Sequence, residues 1–133
     1  FLPMLMDTGG NAGSQSSTLV IRSIALGELA FKDTFKVIWK EFRISFLVGI
    51  PLALVNFLRI YFFEGYSLAL AITVSTTLLV TIIFAKIVGG VLPMIAQKFN
   101  IDPAIMASPL ITTIVDAISL IFYFRFATWI MGI

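Results

Sequence analysis

Two carboxylates stand in surroundings that otherwise offer little chemistry. Asp7 opens the run DTGGNAGSQSST at 7–18, and Asp116 lies within PLITTIVDAISLIFYF at 109–124. The chain has no His and no Cys. That removes imidazole and thiolate ligands, and with them zinc, copper and haem sites. It also removes Ser-His and Cys-His nucleophile chemistry. What is left is hard-oxygen chemistry from carboxylate, amide, hydroxyl and carbonyl, which suits Mg, Ca or Mn. Asp-Thr-Gly at 7–9 matches an aspartic protease triplet, but that enzyme needs the triplet on β loops, with two carboxylates sharing a proton. No alternating strand pattern flanks residue 7. GGNAGS at 9–14 lacks the Gly-Lys-Ser/Thr of a phosphate-binding loop, because Gly13 is followed by Ser14 and Gln15.

The spacing of the polar residues is more informative than either triplet. Asp7, Asn11, Ser14 and Thr18 follow i, i+4, i+7, i+11, one face of a helix. Thr112, Asp116, Ser119 and Tyr123 repeat the same interval, with Ser108 a turn earlier. Ser and Thr alone would be explained by a helix–helix seam glued by hydroxyls; the carboxylate of Asp116 would not. Gly9, Gly10 and Gly13 lie among the first set. They serve either as a close-packing face or as a loosened backbone whose freed carbonyls line a cavity. Two stripes with one carboxylate each would line a single wet path.

The elements that must hold these stripes follow from composition. Hydrophobic residues make up 59% of the 133 residues and charged ones 12%, against about 45–50% and about 25% in soluble domains. A chain this small cannot cover itself with that little polar surface, so lipid is its solvent. The expected fold is all-α, a polytopic membrane helical bundle formed by one domain. Spans of roughly 20 apolar residues are expected at 44–63, 67–97 and 103–131. A fourth helix, weaker in hydropathy, is expected at 1–26. Asp102-Pro103 reads as an N-cap followed by Pro at the first helical position. Net charge is only +2, which does not suggest a nucleic-acid partner.

Between the first two helices, Phe31, Phe35, Ile38, Trp39 and Phe42 share one helical face and Lys32, Lys36 and Lys40 another. An amphipathic helix at 28–42 is expected there, lying in the membrane interface or packed on protein. Basic residues in short loops mark the cytoplasmic side: Arg22, Lys32, Lys36, Lys40 and Arg43 place 22–43 inside, and Lys98 places 97–103 there too. The 64–66 turn and the C-terminus then face outward. Charges at membrane depth cost about 2.5–3.5 kcal/mol each on insertion scales. Arg59 and Arg125 escape that cost by snorkelling, a route closed to the short side chain of Asp116. Lys86 either reaches cytoplasmic headgroups or pairs with a carboxylate.

PMLMDTGGNAGSQSSTLVIRSIALGE at 3–28 and DPAIMASPLITTIVDAISLIFYF at 102–124 resemble the membrane domain of the MgtE magnesium channels, which are related to the animal solute carrier family 41. The most specific parts are GN-x-G-x-Q-x-x-T at 10–18 and DP…SPL-x-T-x-x-D at 102–116. The resemblance implies a homodimer in the cell (inner) membrane, with five helices per subunit, the second and fifth lining a pore on the two-fold axis. This chain would hold helices two to five, without the first helix, the cytoplasmic N and CBS domains or the plug helix. It implies that Asp116 falls on the pore aspartate, and Gly10 and Thr18 on pore-lining positions. Ser14 falls where one member has an asparagine at the ion site, and Asp102 on an acidic cytoplasmic position that joins regulatory magnesium binding. It assigns no role to Asp7.

The expected function is therefore a magnesium-selective channel pore, with Mg²⁺ as both the transported ion and the ligand. The expected metal residues are Asp116, Gly10, Ser14, Thr18, Asn11 and Asp102, with Asp7, Thr112 and Ser119 as further pore-lining candidates. The alternative is a carrier that exchanges a divalent ion for Na⁺ or H⁺, with Asp7 and Asp116 as a proton relay. A non-transporting scaffold and an intramembrane protease built on Asp7 complete the set of readings.

Overall fold

The most apolar stretch of the chain forms the longest helix and the centre of the bundle. In the computed structural model, which describes residues 2–103 and 108–132, the helices are α1 (Leu2–Ala25), α2 (Thr34–Leu58), α3 (Leu68–Lys98) and α4 (Ser108–Met131). No strand occurs among the described residues. α3 packs against each of the other three helices, and α1 packs against both α3 and α4. Leu5, Leu78, Ile82, Ala85, Ile111 and Val115 join α1, α3 and α4 in the core. The hydroxyls of Thr73 and Thr77, both buried, donate to the carbonyls of Ala69 and Thr73 at 2.8 and 2.7 Å. A helix can thus bury them without leaving a donor unpaired.

The helix ends follow local chemistry. Ser67 caps α3 by accepting from the Leu70 N–H at 3.2 Å. After α1 the chain turns at Gly27, with φ +76°, and the Glu28 N–H closes on the Ser23 carbonyl at 2.9 Å. After α3, Asn100 takes the left-handed conformation at φ 58°, while the Ile101 N–H closes on the Ala96 carbonyl at 2.9 Å. Gly and Asn are the residues that reach this conformation most readily.

Among the described residues, three helical segments are long and apolar enough to cross a membrane: Thr34–Phe63, Leu68–Lys98 and Leu110–Met131. Their outward faces carry Leu47, Leu54, Val55, Phe62, Ile121 and Phe124, all exposed, as lipid-facing side chains are. The chain is a multi-pass membrane helical bundle. The amphipathic stretch expected at 28–42 differs in form. A 3₁₀ turn at Phe31–Asp33 leads into α2, and residues 34–42 are its first turns, running without a break into the span. Lys36, Trp39 and Lys40 are exposed there, whereas Val37 and Glu41 face the bundle. α2 ends in a π-helical turn at Arg59–Phe63. There the Arg59 guanidinium donates to the Asn56 side-chain oxygen at 3.0 Å and lies 3.9 Å from Glu64. The start at Asp102-Pro103 expected for the last span borders residues 104–107, which lie outside the described residues.

Candidate functional site

α1 is an unbroken helix from Leu2 to Ala25 despite its three central glycines. They therefore leave no broken turn with freed carbonyls. Gly9 and Gly13 serve close packing instead. A Cβ on Gly9 would stand 2.6 Å from Val115 Cγ1 and 2.7 Å from Thr81 Cγ2; one on Gly13 would stand 2.7 Å from Ile111 Cγ2 and 3.1 Å from the Ala85 carbonyl. A Cβ on Gly89 of α3 would overlap the Gly13 carbonyl. Small residues here let α1 settle between α3 and α4 at backbone distance.

That close approach brings the two polar stripes together. Pro3, Met6, Asp7, Gly10, Asn11 and Ser14 of α1, with Thr112 and Asp116 of α4, line one open cleft of about 320 Å³. A second opening of about 550 Å³ is lined by Asn11, Ser14, Gln15, Thr18 and Leu19. The two share Asn11 and Ser14, so they form one groove along α1 from Pro3 to Leu19. At 1.5 Å rise per residue this groove runs for about 24 Å, most of the roughly 30 Å thickness of a bilayer core. The Asp116 Oδ1 is buried and has no hydrogen-bond partner. A carboxylate oxygen left in that condition is costly unless water or a cation completes it. The Thr18 hydroxyl donates to the Ser14 carbonyl at 2.8 Å.

Seven of the nine residues singled out in the sequence thus border the groove: Asp7, Gly10, Asn11, Ser14, Thr18, Thr112 and Asp116. The other two lie elsewhere. Ser119 is fully buried with an unpartnered hydroxyl, 3.7 Å from where a Cβ on Gly9 would stand, so it faces the seam behind the groove. Asp102 is exposed in the connection after α3. No group of three acidic side chains able to hold a metal occurs among the described residues. Asp7 and Asp116 are the carboxylates that line this groove among the described residues.

Residues 2–126 match the MgtE family model, described as a divalent cation transporter. The chain belongs to the MgtE family. It is 35% identical over 127 residues to the magnesium transporter MgtE of Thermus thermophilus, covering 96% of this chain and 28% of that protein. It is 36% identical over 128 residues to the magnesium transporter MgtE of Bacillus subtilis, again covering 96% and 28%. A third magnesium transporter MgtE, from Enterococcus faecalis, is 28% identical over 131 residues. The chain therefore spans a little over a quarter of the length of these MgtE relatives.

A second polar cluster lies behind the groove, and the sequence did not mark it as a unit. The Ser16 hydroxyl donates to Glu41 Oε2 at 2.6 Å, and the Lys86 ammonium donates to the Ser16 hydroxyl at 3.4 Å. Ser16 is 1% exposed, Glu41 4% and Lys86 5%. Lys86 is thus linked to a carboxylate through a serine and does not reach the headgroups. Glu41 was hidden by its place in a stretch that reads as a surface helix. Its signal was the four-residue step from Val37, which sets both on the inward face.

Proposed function

We propose that this chain forms the conduction part of a magnesium channel, passing Mg²⁺ with much of its hydration shell along the groove between α1 and α4. The observation that carries the reading is the unpartnered Asp116 carboxylate oxygen opposite the Asp7–Asn11–Ser14 face in one open cleft. The MgtE family membership supports Mg²⁺ as the ion. The groove is open on one side, so a second copy related by a two-fold axis would close it and add a second Asp116. Two carboxylates on the axis, with hydroxyls and amides from Asn11, Ser14 and Thr18 toward the ion's waters, can admit a hydrated divalent ion and still release it. Loops 22–43 and 97–103 face the cytoplasm in this arrangement, and Asp102 stands at the inner mouth, where it can gather cations.

Asp116→Ala tests the reading. Mg²⁺ influx into proteoliposomes should be abolished or fall strongly, and discrimination against monovalent ions should weaken. Unchanged selective flux would overturn the assignment. Asp7 in the same cleft supports a second reading, a carrier coupled to H⁺ or Na⁺. A Mg²⁺ current that follows voltage alone, without movement of a second ion, decides for the channel.

A further inference from the structure

α1 has a functional front and a pinned back. Its groove residues face α4 and open space, while its back meets α3 and α2 at two consecutive glycines. At the first, Gly89, α3 touches the Gly13 backbone. At the second, Gly90, a Cβ would stand 3.0 Å from Val37 Cγ1 and 3.1 Å from Glu41 Cγ, so side chains of α2 lie against this glycine. One turn before this double contact, Lys86 reaches Ser16, which in turn holds Glu41. Three helices therefore meet through a single hydroxyl, with a cation and an anion on either side of it, all within a part of the bundle that excludes solvent.

Such a cluster is a weak source of net stability, because desolvating two charges offsets most of their attraction. Its better-attested use is to fix register. A slide of α1 by one residue would carry Ser16 away from both charges and leave each of them buried without a partner. The same slide would move Asn11, Ser14 and Thr18 relative to Asp116.

We propose that Ser16, Glu41 and Lys86 form a buried latch that sets the axial position of α1, and so positions Asn11 and Ser14 against Asp116 for Mg²⁺ passage. They act as positioning residues and do not touch the ion. The inference rests on the ion-pathway reading above.

The test uses Mg²⁺ itself and a chemical ruler. The chain has no cysteine, so Asn11→Cys and Ser14→Cys, introduced separately into the full chain, report groove exposure through their rates of reaction with a charged thiol reagent. Glu41→Gln and Lys86→Met should each reduce Mg²⁺ flux by about tenfold, the scale of energetic coupling between linked sites. They should also lower the Mg²⁺/Na⁺ permeability ratio and change the relative reaction rates of the two cysteines. Folded variants with unchanged flux, ratio and thiol rates would overturn the latch. Should both variants fail to fold, Ser16→Ala decides: it removes only the shared hydroxyl, and it must change the relative reaction rates of the two cysteines or the proposal fails. Asp116→Asn with the latch intact separates the two claims. It should abolish flux and, by removing one negative charge from the cleft, move both thiol rates in one direction, without the change in their ratio that the latch variants give; persistent selective flux there overturns the pathway reading, and the ratio of thiol rates in the latch variants then decides the latch.

Discussion

The face of α1 that carries Asp7, Asn11, Ser14 and Thr18 borders a groove, whereas the face that carries Gly9, Gly13 and Ser16 lies against α3 and α4. The groove face holds polar atoms that keep contact with water, and Asp116 contributes an oxygen with no protein partner. Between Gly9 and Ser17 the buried positions of the packed face are all Gly, Ala or Ser, and its buried charges meet through Ser16. In lipid there is little hydrophobic force to press helices together, so contact must come from van der Waals packing and interhelical hydrogen bonds. The glycines supply the packing and the latch supplies the hydrogen bonds. The groove can stay wet because the opposite face of the same helix is dry and tight.

The largest effect should come from breaking the packed face. Gly89→Val places a branched side chain where even a Cβ would overlap the Gly13 carbonyl. Neither partner is a flexible side-chain end, so two helix backbones must separate. Overpacking of this kind costs about 3 kcal/mol or more, and a large drop in melting temperature in detergent is expected. A variant that melts with the parent would mean that α1 and α3 are not in backbone contact.

The groove face should respond in function and not in stability. Ser14→Ala removes a half-buried hydroxyl that borders both openings of the groove. A neutral hydrogen bond contributes about 0.5–1.5 kcal/mol, so Mg²⁺ flux should fall by roughly two- to tenfold, with the melting temperature nearly unchanged. A large stability loss without a change in flux would move Ser14 from the groove to the packing.

Much of this division was legible in the sequence, and the reason is periodicity. Lipid makes every span apolar, so a polar stripe at helical spacing stands out, and the stripes at 7–18 and 108–123 did. Length and hydropathy indicate the spans, and α3 at Leu68–Lys98 lies within a residue of the expected 67–97, whereas α2 begins at Thr34, ten residues before the expected 44. Three things were not legible. Gly9, Gly10 and Gly13 read alike along the chain, although two pack and one borders the groove; only the direction of the neighbouring helices separates them. Ser119 continues the stripe of Thr112 and Asp116 by spacing, but α1 crosses at that level and buries it. Glu41 lies in a Lys-rich, aromatic stretch that is amphipathic as a surface helix would be. Its partner Lys86 is 45 residues further on, and no local pattern joins them.

The sharpest comparison is also the smallest change: the adjacent glycines 9 and 10, each replaced by alanine. Both substitutions add one methyl group, and both favour the helix by about 1 kcal/mol through the lower backbone entropy of the unfolded chain. On Gly9 the methyl would sit 2.6 Å from Val115 Cγ1 and 2.7 Å from Thr81 Cγ2, so two side chains on different helices must shift. The overpacking cost of about 1–3 kcal/mol outweighs the helix gain, and Gly9→Ala should lower the melting temperature. On Gly10 the nearest atom to the methyl is Thr112 Oγ1 at 3.7 Å, an ordinary contact. The helix gain is then unopposed, and Gly10→Ala should melt at or slightly above the parent. Its methyl projects at the groove wall, so Mg²⁺ flux should fall by no more than about twofold, the effect expected of a single small apolar group if the ion passes with its water retained, as proposed above. Equal melting temperatures for the two variants would mean that α1 is rotated about its axis from the orientation described, and the separation of groove from seam would go with it.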